Sequence, residues 1–145
     1  MSTTDVLPDE ATPFGQRVRE RLRNERIIWL TTVGRDGTPQ PNPLWFVWSG
    51  DDTIVIYTPP DAHRLTHIAA RPTVSLHFNG TPSGGDIVVI RGTAERADDL
   101  PSPDDHPEYL AKYDDDMVTV VGSVAQFAAT YHVPIRIRLT GTRGF

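Results

Sequence analysis

Between Ile27 and Trp48 the chain sets three prolines at alternate positions, Pro39, Pro41 and Pro43, inside what otherwise reads as the second strand of a hairpin. A proline brings no N–H to a ladder, so such a strand is confined to a sheet edge or a barrel mouth, with backbone groups left free. Free groups of that kind can receive a ligand. The first strand is 27–33, the connection is Gly34-Arg35-Asp36-Gly37, and the second strand closes on Trp45, Phe46 and Trp48.

The second strand is predicted over 42–49 and further strands over 53–58, 73–79, 86–97 and 134–141, each rich in Val, Ile, Thr or aromatics and bounded by turn residues. Gly34 to Gly37 and Ser49 to Asp52 have the length of antiparallel hairpin connections. Six strands with few helices point to a closed or nearly closed barrel, which removes the exposed edges of an open sheet. Thr12 and Pro13 make a helix start, a capping hydroxyl followed by proline in the first helical position. Phe14, Val18 and Leu22 then stack on one face, leaving Arg17, Arg19, Arg21, Arg23 and Arg26 around the rest of the cylinder. A short helix from about Asp61 carries His63, Arg64 and His67. Residues 98–116 mix aspartates with Tyr109, Leu110 and Tyr113 and read as a loop followed by a short helix, the acids on a solvated face. A last helix is predicted from Thr119 to Tyr131, on Val120, Val124, Phe127 and Tyr131. Residues 1–11 read as a flexible lead to one domain over 12–145.

The 145 residues suit a single core. A net charge of −5 argues against a nucleic-acid partner, since that affinity rests on lysine and arginine contacts to phosphates. The absence of cysteine excludes disulfides, thiolate nucleophiles and cysteine-bound zinc. No window approaches the roughly 18 apolar residues of a membrane span, and MSTTDVLPDEATPF lacks the basic start and apolar run of a signal peptide. The expected location is the cytoplasm, with no membrane partner.

No nucleophile motif is present, and no catalytic side chain is assigned. His63 and His67 stand at i and i+4, a spacing that could face one metal, but no third ligand accompanies them and no metal is expected. An organic redox cofactor would account for this shortage, because it brings the reactive atom while the protein supplies position and electrostatics.

Asp36 to Trp45 (DGTPQPNPLW), a strand ending in Thr58, then Arg64, then Arg71-Pro72-Thr73-Val74-Ser75 form a connected series. On that series, residues 27–94 resemble the flavin or deazaflavin oxidoreductases of the pyridoxamine 5′-phosphate oxidase-like split-barrel family, most closely the actinobacterial branch that uses coenzyme F-420. Arg64 stands where lysine is common and His67 where asparagine is common. The first swap keeps the charge; the second changes one polar contact.

The resemblance implies a mainly antiparallel, six-stranded split β-barrel with three or four flanking helices. It also implies a homodimer with cofactor sites at the subunit interface. Gln40, Asn42, Pro43, Leu44 and Trp45 match the segment along the isoalloxazine or deazaflavin ring. Arg64, near a helix start, is the candidate for the cofactor phosphate, because a guanidinium offers a rigid fork of donors. Thr58, His63 and His67 complete the implied cofactor-binding set, with Thr31 and Thr32 as further hydroxyls. Other roles remain open: Trp45 as a core or interface aromatic, Arg64 as a surface charge, the threonines as ordinary strand residues. A polyglutamate tail on F-420 would call on Arg17, Arg21 or Arg23, and Phe145 is a candidate lid. The implied activity is hydride transfer from reduced F-420 to an electron-poor unsaturated small molecule. An FMN-dependent oxidase and a biliverdin-type tetrapyrrole reductase share the fold, and a cofactor-binding module without turnover is the reading from another class. Specificity is expected to rest on loops 80–86 and 98–118.

Overall fold

The computed structural model describes residues 6–145. Residues 1–5 of the expected lead lie outside the described residues. The rest of it is no free lead: Val6 and Leu7 are buried in the main core, and the Val6 carbonyl accepts from the Thr142 hydroxyl at 2.8 Å. Two adjacent apolar side chains are enough to dock the segment.

Helix α1 (Pro13–Asn24) starts as expected, with the Gly15 N–H donating to the Thr12 hydroxyl at 3.0 Å and proline in the first turn. Val18 and Leu22 are fully buried and Phe14 packs beside them. Strand β1 (Ile28–Val33) pairs antiparallel with β2 (Pro39–Leu44) from Ile28↔Leu44 to Val33↔Pro39. The turn between them places Gly37 at φ +86°, and the Asp36 carboxylate accepts the Thr38 N–H. Pairing through all six β2 residues means that Gln40, Asn42 and Leu44 supply the ladder donors, while the proline nitrogens face outward.

The chain then crosses from one edge of the sheet to the other. After Trp45 and Phe46, β3 (Val47–Trp48) pairs with β4 (Thr53–Thr58) rather than with β1. Strands β5 (Thr73–His77), β6 (Val88–Arg96) and β7 (Val133–Gly144) complete one antiparallel sheet in the order β2-β1-β5-β6-β7-β4-β3. Its two outermost strands are therefore consecutive in sequence, joined by two residues. This curled sheet is the split barrel. It has seven strands because the stretch expected as a single strand over 42–49 begins at Pro39 and breaks at Trp45–Phe46.

Two apolar clusters follow from the alternation of side chains. Inside the curl, Ile28, Leu30, Ile54, Ile56, Leu76 and Ile137 meet Leu22 of α1. Outside it, Val55 and Tyr57 of β4 meet α3 (Pro107–Asp116), α4 (Val124–Thr130) and the residues between them through Tyr109, Tyr113, Met117 and Phe127. A short helix α2 (His63–Ala70) buries Ile68 against the inner cluster. The single helix expected over 119–131 is interrupted. Met117–Val121 forms a π turn ending at Gly122 (φ +119°), and Ser123 caps a new helix by accepting from the Gln126 N–H. Four β-branched residues in succession and a glycine hold the α conformation poorly, while Ser123 supplies a fresh start. Among the described residues, no helix is long and apolar enough to cross a membrane.

Candidate functional site

The crossing at Trp45–Phe46 leaves backbone groups without strand partners, and α3 supplies them. The Phe46 N–H donates to the Tyr113 hydroxyl at 2.9 Å, and that hydroxyl donates to the Arg26 carbonyl at 2.8 Å. The Lys112 ammonium donates to the Phe46 carbonyl at 2.9 Å. Phe46 points into the barrel, fully buried, while the Trp45 indole lies outside and stacks on Tyr113 (4.8 Å, 4°) and Phe127 (5.3 Å, 14°).

Trp45 thereby forms one wall of a cavity of about 330 Å³. Pro43 and Leu44 continue that wall along β2, and Tyr57 and Tyr109, edge to face at 4.8 Å, form another. Tyr131 stacks on Phe127 at 4.7 Å, and Val120 and Val121 of the π turn stand in the rim. Burial pushes the Tyr57 and Tyr109 phenols well above the usual tyrosine range, so they face the cavity as neutral groups.

One cation enters this aromatic space. Arg64 reaches it from the first turn of α2, and its Nη1 donates to the hydroxyl of fully buried Thr58 at 3.0 Å. Among the described residues no carboxylate pairs with Arg64, and burial draws its pKa below the ordinary guanidinium value. A half-buried guanidinium held by a single hydroxyl is a costly arrangement that an anion would relieve. The cavity thus joins flat apolar walls to one unneutralised donor fork.

Pro43, Leu44, Trp45 and Arg64 of the expected set line this cavity, and Thr58 stands one hydrogen bond behind. The others lie elsewhere. Gln40 and Asn42 are exposed along β2, and His63 is exposed at the first residue of α2. His67 turns to β1, its Nδ1 2.8 Å from the Thr32 hydroxyl. Arg17 and Arg21 are committed to Asp86, and Arg21 also to Glu25, so neither is free for a tail of carboxylates. Arg23 lies over the Trp48 ring. Phe145 lies beyond the end of β7 opposite to Tyr131, with twelve residues of strand, roughly 40 Å if fully extended, between them, and its N–H donates to the Ile87 carbonyl, away from this cavity. The loop 98–118 contributes Tyr109 to the wall, whereas 80–86 sits against α1 through Arg21. Tyr57, Phe127 and Tyr131 had shown only ordinary strand or helix spacing. The available signal was Tyr57, an aromatic on the outward phase of a strand whose inward phase is Ile54 and Ile56, which requires something to cover it.

A family model described as pyridoxamine 5′-phosphate oxidase matches residues 14–131, a span that contains every residue lining the cavity. The chain belongs to this family. Solved structures of similar fold include an F-420 reductase, 26% identical, with a TM-score of 0.66 over 86% of this chain and 94% of that one. A FAD-binding protein from Mesorhizobium loti is 21% identical, with a TM-score of 0.63 over 88% of each chain. A heme storage protein from Vibrio cholerae is 13% identical, with a TM-score of 0.60 over 89% of this chain and 92% of that one. The last two likenesses are of fold. No curated protein matches the chain.

Proposed function

We propose that this member of the family is an F-420-dependent oxidoreductase acting on an electron-poor unsaturated small molecule. The observation that carries the reading is Arg64, a guanidinium that has no acid partner among the described residues and lines an aromatic cavity. The likeness to an F-420 reductase supports the deazaflavin over a flavin. The site suits such a group: Trp45, Tyr57 and Tyr109 offer faces and edges to a planar ring, and Arg64, steadied from behind by the Thr58 hydroxyl, offers donors to a phosphoryl oxygen. At about 330 Å³ the space is at the small end of small-molecule sites, enough for a ring, with the remainder of a cofactor beyond the rim. When bound, reduced F-420 supplies the hydride, and the chain's residues bind, orient and exclude water. The reading includes a homodimer, supported by half-exposed Trp29, Thr31, Val33 and His77 on the outer face of the sheet; sedimentation equilibrium tests it.

Parallel fluorescence titrations with F-420 and FMN test the assignment. Wild-type protein is expected to bind F-420 more tightly, and Arg64→Ala to weaken it about 10- to 100-fold, the loss of one charge-assisted contact. A preference for FMN would move the assignment to a flavin oxidase. Binding that survives Arg64→Ala unchanged would place the cofactor elsewhere. Because Arg17 and Arg21 are already paired, F-420 forms with few and with many glutamates are expected to bind within a few-fold of each other.

A further inference from the structure

Of the chain's 14 basic side chains, Lys112 is the only lysine. Every other cation is an arginine, which keeps its charge at any physiological pH, whereas a lysine can lose its proton when its surroundings disfavour the ammonium. This single lysine does not stand on a solvated face. Its Nζ lies 3.8 Å over the Phe46 ring and donates to the Phe46 carbonyl, one peptide from the cavity wall at Trp45.

We propose that Lys112 is an ionisable positioning residue of the cavity: its ammonium fixes the Phe46 carbonyl, and thereby Trp45, and loss of its proton loosens that hold. The charged groups facing it come from three places. Arg26, between α1 and β1, repels it while pairing with Asp116; Glu25, at the end of α1, attracts it; Tyr113, beside it on α3, offers a ring face at 5.2 Å. Burial and then Arg26 draw its pKa down to about 8. The ammonium makes a charge-assisted bond and a cation–π contact, and the neutral amine keeps only an ordinary hydrogen bond. Trp45 follows because its stacking on Tyr113 and Phe127 depends on where the Phe46 peptide sits.

The test needs no cofactor, so its outcome is separate from that of the F-420 assignment. Near-UV circular dichroism and tryptophan fluorescence of the full chain are followed between about pH 7 and pH 10, above the ordinary histidine range. Wild-type protein is expected to show one reversible step with a midpoint near 8. Lys112→Arg, which keeps the charge throughout, is expected to remove the step, and Trp45→Phe to remove its signal while Trp29 and Trp48 remain. Should Lys112→Arg fail to fold, Lys112→Met serves, since it has no proton to lose. A flat wild-type profile overturns the proposal. So does a step that persists in the Lys112 variants, which would belong to the terminal amine, or one that persists in Trp45→Phe.

Discussion

The hydroxyl of Tyr113 accepts from the Phe46 N–H and donates to the Arg26 carbonyl, which ties the crossing strand to the end of α1. Tyr113→Phe leaves that N–H unsatisfied and is expected to cost about 1–3 kcal/mol, read from denaturant midpoints at constant m-value. Lys112 gives stability a definite pH slope. Its pKa is lower in the folded state, so between about 8 and the usual 10.5 the unfolded chain holds more protons and stability rises with pH. Above about pH 10 the trend reverses, because burial raises the pKa of Tyr57, Tyr109 and Tyr113, the last to about 12, and the unfolded chain loses those protons first. Thermal melts across this range are expected to show a maximum, with the rising limb flattened in Lys112→Met. That Pro43, Trp45 and Arg64 stand together at one place was legible from their linear pattern, and all three line the cavity. Tyr57 and Tyr131 were not, because they reach the cavity through the packing of helices on the outer face, which no local spacing encodes.

At the scale of elements, strand β4 was legible to the residue, since Thr53–Thr58 is a continuous β-branched and aromatic run between turn residues. The split of the next-door stretch into β2 and β3 was not, because Leu44 to Trp48 is uniformly apolar and no breaker marks where it changes partner. The same limit explains the π turn, whose valines suit a helix face and an exposed rim equally. Val120 is 69% exposed. Gly122→Ala forces a side chain into φ +119°, with its Cβ 2.3 Å from the Gln126 side-chain oxygen, and is expected to destabilise by about 1–3 kcal/mol. Gly92 has a different reason to be glycine: at the register shift between β6 and β7 an added Cβ would lie 2.8 Å from Ile137 and 3.0 Å from the Arg138 carbonyl. Gly92→Ala is therefore expected to lower the melting temperature although its backbone angles are permissive.

For the whole molecule, the outward proline nitrogens leave the free edge of β2 with carbonyl acceptors and few donors, so another strand finds little to pair with. Pro41→Val restores an N–H there and is expected to raise self-association, read by light scattering over time. The family and barrel class were legible because prolines, turn glycines and strand periods lie along the chain; the way the barrel closes lies between distant parts of it. Strand β7 pairs with β6 on one side and with β4 on the other, from Thr53↔Arg138 to Thr58↔Val133. During synthesis the first hairpin can therefore form early, but β3 and β4 have no neighbour to join the rest of the sheet until β7 has emerged. Closure is a late event that brings together sites far apart in sequence, the kind of topology that folds slowly. Until it happens, the crossing at Trp45 has nothing to span, so the cavity is among the last features of the molecule to exist.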